Sequence, residues 1–153
     1  IKIDIFFNGR NKLNNIMERL TTKRFNSNFK PNRTEFDWLS DDEDSVDNYI
    51  EDDLCGFKVT NGLWLDMVEG IESTFKDENY ISDNKNLRIL LVAGSKDPVG
   101  DNGKGVERLY TFLKDHFKNL SLFTFGNGRH EIFSDLNKDR RYKLLTDFFD
   151  EEI

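Results

Sequence analysis

An aspartate and a histidine, each placed just past a short apolar run, are the residues of this sequence whose types and spacing can do chemistry. Asp97 follows the run 87–93, and His130 follows the run 120–125. An imidazole that takes and returns a proton, oriented by a carboxylate, forms the base and acid end of a Ser-His-Asp relay. The pair therefore indicates hydrolysis through a serine nucleophile, although no Gly-x-Ser-x-Gly sequence occurs in the chain.

The segments that must position this pair read as strand, loop, helix, strand, loop, helix. The run 87–93 is nearly all apolar, as is typical of a strand buried on both faces. Apolar spacing predicts helices over 104–118 and 138–150, with a second strand over 120–125. Strand, helix and strand at this spacing favour a right-handed parallel unit, whose functional groups gather on loops at the carboxyl ends of the strands.

The preceding stretch of the chain is polar, rich in Asn and Asp, and is predicted to be helical or irregular. Apolar spacing predicts one helix over 12–20 and another from Asn61. Residues 40–43 (Ser-Asp-Asp-Glu) fit a capping box that opens an acidic helix. We therefore expect a helical region over 1–85 and a strand–helix region over 86–153.

Size, charge and cysteine content narrow the classes of function. A chain of 153 residues can form a domain with a core, and its net charge of -7 argues against nucleic acid as a partner. The single cysteine, Cys55, excludes an internal disulfide framework and fits a reducing compartment. No apolar run approaches the ~20 residues that span a bilayer, so no stable membrane insertion is expected. A cytoplasmic protein is predicted. The chain does not begin with Met, and the sequence leaves open whether residue 1 is a natural terminus.

Several motifs carry a resemblance to a known family. The core motifs are Gly-Ser-Lys-Asp-Pro-Val-Gly at 94–100, Gly-Lys-Gly-Val at 103–106 and Gly-Arg-His-Glu at 128–131. With them the chain resembles α/β-hydrolase serine hydrolases of the lysophospholipase-like or monoacylglycerol-lipase-like type, in their carboxy-terminal half. The lid segment of bacterial members is similar to residues 32–40, Val46, Asp47, Tyr49 and 54–57. Together these motifs cover most of the chain.

The resemblance implies an α/β fold and a role for each motif. Asp97 would be the acid and His130 the base of the triad. Residues 8–80 would form most of a helical lid over an acyl pocket, with Phe57 and Trp64 contacting substrate. No metal and no organic cofactor are implied.

The resemblance also implies that something is missing. Family members are longer, and their front half provides the central sheet, the oxyanion donors and the nucleophile elbow. This chain alone is therefore expected to be inactive, with the serine outside it and the amino-terminal half of the hydrolase as its partner. The open edge of the strand over 87–93 would otherwise favour self-association.

The predicted reaction is hydrolysis of a lipid-like carboxylic ester, by a lysophospholipase or monoacylglycerol lipase. Two alternatives stay open: a non-catalytic half-domain that binds a lipid or protein, and an aminopeptidase of the same fold. The aminopeptidase would need an acidic site for the substrate amine.

Other residues compete with these assignments. Asp101 is a rival acid on the same loop, and Glu131 follows the predicted base too closely to face it. His116 is predicted to be an ordinary surface residue and Cys55 a buried small one, while the acidic stretch 41–53 lacks EF-hand spacing. Six apolar side chains can either line the lid or pack it onto the core: Phe36, Trp38, Phe57, Leu63, Trp64 and Met67.

Overall fold

The computed structural model describes residues 1–80 and 85–150. These residues form helices and a two-stranded parallel sheet, joined by loops and short 3-10 turns. The helices are α1 (Lys2–Asn8), α2 (Asn15–Leu20), α3 (Thr22–Asn26), α4 (Glu43–Glu51), α5 (Asn61–Thr74), α6 (Lys104–Leu113) and α7 (Lys138–Asp150), and the strands are β1 (Arg88–Gly94) and β2 (Asn119–Phe125). The α/β class predicted from the sequence is confirmed.

The two strands pair in parallel, with register running from Arg88 opposite Asn119 to Gly94 opposite Phe125. Helix α6 connects them and packs on both. Burial is greatest at the carboxyl end of β1, where Ala93 and Gly94 are buried, while the five residues before them are only half-buried. The prediction that this strand is buried on both faces therefore holds only at its end within the described residues.

Helix α7 returns along the sheet. The Arg88 guanidinium lies 4.6 Å from the centre of the Phe148 ring and donates a 2.7 Å hydrogen bond to the Phe148 carbonyl. The buried apolar residues of this region, Ala93, Leu113, Phe125 and Ile132, lie where the strands, α6 and the 3-10 turn Ile132–Ser134 meet. This small core packs around the carboxyl ends of both strands. The loops that carry Asp97 and His130 begin at these ends.

Two helices are shorter than predicted. The helix predicted over 104–118 ends at Leu113, because the chain then turns to enter β2, with the Lys118 amide donating to the Lys85 carbonyl. The helix predicted over 12–20 begins at Asn15, where the Asn14 side chain accepts a hydrogen bond from the Met17 amide. Leu13 instead bridges to Thr60.

The predicted capping box at 40–43 is wrong. The N-cap of α4 is Asp42, whose carboxylate accepts from the Asp44 amide. Ser40 is buried, and its hydroxyl donates to the Ser134 carbonyl, 2.9 Å away. The Ser40 hydroxyl oxygen accepts from the Asp42 amide at 3.0 Å, and not from the Glu43 amide that a capping box requires.

The first helices are joined by polar side chains. Asn61 is fully buried; its side-chain oxygen accepts from Asn14, and its amide nitrogen donates to Asp4 and to the Gly9 carbonyl. The predicted apolar stripe of α5 exists but is mostly exposed to solvent in the described residues. Its exposed members are Leu63, Met67, Val68 and Ile71, and Ile3, Phe6 and Phe7 of α1 are exposed as well.

Some predictions are not tested by these features. The predicted boundary between residues 85 and 86 closely follows residues 81–84, which, like 151–153, lie outside the described residues. Self-association through the sheet edge also stays a prediction. Among the described residues, no helix is both long and apolar enough to cross a membrane.

Candidate active site

The loops after β1 and β2 lie against each other at a glycine. A side chain on Gly94 would collide with the carbonyl oxygens of Gly128 and Arg129. The Lys96 amide donates to the Gly128 carbonyl at 2.8 Å, and the Asn127 amide donates to the Ser95 hydroxyl at 2.9 Å. The absence of a side chain at Gly94 therefore lets the loop with Asp97 and the loop with His130 approach each other closely.

Asp97 lies on the first loop with only 14% of its side chain exposed. Its Oδ1 accepts a hydrogen bond from the Val99 amide at 2.9 Å and contacts Nδ1 of His130 at 3.0 Å. Burial alone would raise the pKa of this carboxyl, but the hydrogen bond and charge of His130 and the backbone amides of Val99 and Gly100 hold it below its ordinary value. Asp97 is thus held as a carboxylate facing an imidazole.

His130 keeps 36% of its side chain exposed. The Asp97 hydrogen bond raises the pKa of His130 above its ordinary value against the opposing effect of burial, and the charges of Asp97 and Glu131 act in the same direction. Since Nδ1 faces Asp97, Nε2 is the ring atom left to take a proton from a nucleophile. The predicted approach of the two side chains is confirmed, while their catalytic roles stay a prediction.

A segment of the helical region reaches the histidine loop. The amides of His130 and Glu131 donate to the carbonyls of Trp38 (3.4 Å) and Leu39 (2.7 Å). The indole ring of Trp38 lies against the imidazole, with ring centres 5.1 Å apart and planes tilted by 35°. His130 is therefore contacted by its own loop and by residues of the predicted lid.

Arg129, directly before His130, bonds to the same stretch of the predicted lid, residues 37–40. Its guanidinium donates to the Asp37 carbonyl and, at 2.7 Å, to the Ser40 carbonyl, and it lies 4.5 Å from the centre of the Phe29 ring. Arg can serve several acceptors at once because its guanidinium presents five donors in a fixed plane. One side chain thus spans the lid segment on both sides of Trp38.

A buried ion pair between Asp135 and Arg141 stabilises the loop that carries His130. Asp135 is fully buried, and one of its oxygens accepts from the Arg129 amide and from the guanidinium of Arg141. Its other oxygen accepts from the Asp41 amide at 2.9 Å, while Arg141 also donates to the Ile132 carbonyl. Asp135 therefore connects the histidine loop, helix α7 and the lid segment at a single carboxylate.

A cavity of about 630 Å³ lies on the lid side of Trp38. Phe57 and Trp64, the two residues predicted to bind substrate, both line it, together with Phe36, Trp38 and Cys55. Cys55 is half-buried, and burial raises the pKa of its thiol, so it is not an activated thiolate. Leu63 and Met67, which the sequence also offered as lining residues, are exposed outside this wall.

The rival residues have other contacts. Asp101 pairs with Arg108 at 3.3 Å. His116 packs against the rings of Phe112 and Tyr80 instead of lying free on the surface. Across the residues that the structure describes, no cluster of His, Cys, Asp or Glu is arranged to hold a metal ion.

Sequence reasoning missed the roles of several residues. Gly94, Arg129 and Asp135 stand in or near the motifs, but their contacts join segments far apart in sequence. The sequence predicts Trp38 only as a lid residue. The one signal that distinguishes it is a large aromatic side chain between acidic residues such as Asp37 and Asp41.

A parallel strand–helix–strand unit with a carboxylate after one strand and a histidine after the next matches the acid-before-histidine order of the α/β-hydrolase triad. A family model described as "Serine aminopeptidase, S33" matches residues 5–137. The chain therefore belongs to this family of α/β hydrolases. No curated protein matches it.

A solved structure supports the same fold. It is a highly thermostable carboxyl esterase from Bacillus coagulans in complex with glycerol, which is 21% identical and superposes with a TM-score of 0.78. The match covers 95% of this chain and 47% of the esterase. The chain thus spans about half the length of that structure.

Proposed function

We propose that this chain supplies the acid and the base of a Ser-His-Asp relay that hydrolyses carboxylic esters. The observation that carries the proposal is the 3.0 Å contact between Asp97 Oδ1 and His130 Nδ1, on loops that follow adjacent parallel strands. A carboxylate in this position fixes the imidazole tautomer and stabilises the cation that forms during proton transfer. The lowered pKa of Asp97 and the raised pKa of His130 fit these two roles.

In the proposed reaction, His130 Nε2 takes the proton of a serine hydroxyl while the serine oxygen attacks the acyl carbonyl. His130 then gives that proton to the leaving alcohol, and the acyl group stays on the serine. Water enters, loses a proton to His130 and attacks the acyl carbonyl of the acyl-enzyme. His130 then gives that proton to the serine oxygen as the bond between that oxygen and the acyl carbon breaks, which releases the acid and restores the serine. Asp97 orients the ring throughout and remains ionised.

The serine belongs, in this proposal, to a segment outside the given sequence. The sequence contains no Gly-x-Ser-x-Gly, and the chain matches 47% of the similar esterase. That segment would also provide the oxyanion donors. The described sheet has two strands, so further strands alongside would extend it and cover the half-buried β1.

The cavity points to a lipid-like ester as substrate, of the monoacylglycerol or lysophospholipid type. Its wall combines aromatic and other apolar side chains with charged and polar ones. The apolar members include Phe36, Trp38, Phe57, Trp64, Leu54 and Val59, and the charged members include Glu18, Glu35 and Lys58. Pockets for small organic ligands are largely apolar with a few polar groups, and a volume of about 630 Å³ falls in their usual range. An acyl chain would lie in this cavity with its ester near Trp38 and His130.

Labelling with a fluorophosphonate tests the proposal. The natural protein that contains this chain should gain one adduct by intact mass, and its His130→Gln variant should label far more slowly. His116→Gln is the matched control, since that histidine packs on Phe112 and Tyr80, and it should label like the wild type. A folded natural protein that gains no adduct would remove the enzyme proposal and favour a half-domain that binds a lipid or protein.

An aminopeptidase is the second candidate, favoured by the description of the family model. Its substrate amine would need a free carboxylate near the cavity. Among the described residues, two carboxylates line the cavity. Glu18 lies within 4.0 Å of both Lys23 and Lys58, which offset its charge, whereas Glu35 is exposed and is the carboxylate that such an amine would bind. Comparing p-nitrophenyl esters with amino-acid p-nitroanilides decides between the two: the ester proposal expects a large preference for esters, and faster cleavage of the anilides would reverse it.

A further inference from the structure

We propose that Trp38 is a positioning residue for His130, whose indole face holds the imidazole in place and favours its cationic form during proton transfer. The inference rests on the proposed function, because it assigns the proton transfer to His130. If the inference holds, a residue of the predicted lid affects the rate of the reaction through its contact with His130.

The contact has the geometry that such a role requires. The ring centres of Trp38 and His130 are 5.1 Å apart and their planes are tilted by 35°, which is closer to a stacked arrangement than to an edge-to-face one. A cation within about 6 Å of an aromatic face is attracted by the ring quadrupole, and Trp provides the strongest attraction. The attraction acts on the imidazolium that forms when His130 takes a proton, more than on the neutral ring.

Hydrogen bonds fix the backbone around Trp38, so its indole has a defined position next to His130. Its amide donates to the Asn26 side chain at 3.1 Å, and its carbonyl accepts from the His130 amide. On one side, Asp37 is buried and accepts from the Arg33 and Thr34 amides and from the Thr34 hydroxyl. These contacts fix the backbone from which the indole projects.

Packing alone does not account for an indole at this position. A buried Trp N–H usually finds an acceptor, but Nε1 of Trp38 is buried with no hydrogen-bond partner among the described residues. A phenyl ring would fill apolar space next to Phe25 without that cost. Trp38 therefore carries a feature that packing does not use, namely its large electron-rich face on His130.

Two titratable groups act on the same imidazole. Asp97 contacts Nδ1, and the charge of Glu131 lies close enough to favour the protonated ring. Trp38 contacts the ring as well and is uncharged, so its effect adds to theirs without competing for Nδ1. Removing the indole should consequently lower the basicity of His130 while leaving the Asp97 hydrogen bond in place.

The experiment compares Trp38→Phe and Trp38→Leu in the natural protein that contains this chain. The His130 pKa is read by NMR titration, on the signal that disappears in His130→Gln, and kcat and KM are read with a short ester. The inference expects the pKa to fall in Trp38→Leu, with kcat falling about threefold or more and KM changing less. Trp38→Phe should recover part of both, because a phenyl ring keeps a weaker aromatic face.

Phe25→Leu is the matched control. The Phe25 ring contacts Trp38 with centres 5.5 Å apart, so this variant loosens the packing of the indole and leaves its face on His130. It should leave the His130 pKa unchanged. A pKa that stays at the wild-type value in both Trp38 variants, or that falls equally in Phe25→Leu, would overturn the inference.

The readouts separate this inference from the proposed function. Fluorophosphonate labelling with an unchanged pKa in the Trp38 variants would keep the enzyme and remove the role of Trp38. A lowered pKa without any labelling would keep the ring contact and remove the catalytic role of His130, and with it the positioning role. If Trp38→Leu does not fold, Trp38→Phe alone decides, and a pKa at or above the wild-type value contradicts the inference.

Discussion

The two regions of this molecule are held together by different kinds of contact. Within residues 85–150, β1, α6 and β2 form a parallel unit through backbone hydrogen bonds and a small apolar core. Within residues 1–80, short helices are joined by polar side chains that bond to distant backbone, with Asn61 as one buried centre. The candidate site needs both regions. The strand–helix region provides Asp97 and His130, and the helical region provides Trp38 and the backbone carbonyls that bond to the His130 loop.

The largest effect should come from the acid. Asp97→Asn removes the carboxylate that fixes the imidazole tautomer, and by analogy with other relays kcat should fall about 10⁴-fold. Asp101→Asn, on the same loop, should leave kcat near the wild-type value, since Asp101 pairs with the exposed Arg108. Ester hydrolysis by the natural protein measures both, and equal losses in the two variants would contradict the assignment of the acid.

The next largest effect tests the connection between the two regions. Arg141→Met leaves the fully buried Asp135 without its cationic partner, and breaking such a pair costs about 3–5 kcal/mol in the free energy of unfolding. Lys143→Met is the control on the same helix: it removes an exposed pair with Asp147 that contributes about 0.3–0.5 kcal/mol. Urea unfolding measures both.

Tryptophan fluorescence shows whether the Arg141→Met variant also destabilises the helical region. Both tryptophans of this chain, Trp38 and Trp64, lie in the helical region, whereas Arg141 lies in α7. If Asp135 couples the two regions, Arg141→Met shifts the fluorescence transition of the tryptophans together with the circular dichroism. A fluorescence transition that does not move would mean that the two regions unfold independently.

A third variant acts on the contact between the loops. Gly94→Ala places a methyl group against the carbonyls of Gly128 and Arg129, and forcing an extra carbon into a packed site costs about 1–3 kcal/mol. Gly126→Ala is the control, because a Cβ there would have no atom within 4 Å. Thermal unfolding measures both, and equal stability of the two variants would show that the loops do not need to approach this closely.

The sequence predicted the strand–helix region better than the helical region, and the contacts explain why. An apolar run such as 87–93 and the helical spacing of 138–150 report local structure directly, so β1 and α7 were found. The loops with Asp97 and His130 follow from the same elements, because parallel strands end at one edge of a sheet.

Contacts between segments distant in sequence could not be predicted in this way. Ser40 has the type and spacing of a capping residue, but its hydroxyl bonds to the Ser134 carbonyl. Charged residues such as Arg129 and Asp135 mostly lie on protein surfaces. Here Arg129 donates to the carbonyls of Asp37 and Ser40, while Asp135 is buried between Arg141 and the Asp41 amide. Composition and local spacing do not encode such pairings. The contacts that hold the two site loops in place are therefore found only in the three-dimensional structure.

The smallest effect concerns pH, since solvent reaches His130 and screens its interaction with Asp97. The general base must be neutral, so kcat/KM should rise with pH through the pKa of His130, which Asp97 raises above its ordinary value near 6.5. In Asp97→Asn the residual activity should therefore reach its half-maximum at a lower pH than in the wild type. A midpoint that stays in place or moves upward would contradict the raised pKa of His130.

The stability of the same pair gives an independent check with a defined sign. The raised pKa of His130 stabilises the fold at pH below the ordinary histidine value, and this contribution is lost as the pH rises through the raised pKa. The lowered pKa of Asp97 stabilises the fold above the ordinary aspartate value of 3.8 and is lost as the pH falls through the lowered pKa. The difference in unfolding free energy between wild type and Asp97→Asn should thus be largest between these ordinary values and shrink on either side. Asp101→Asn should give a difference that does not follow this window, because its carboxylate does not contact the imidazole.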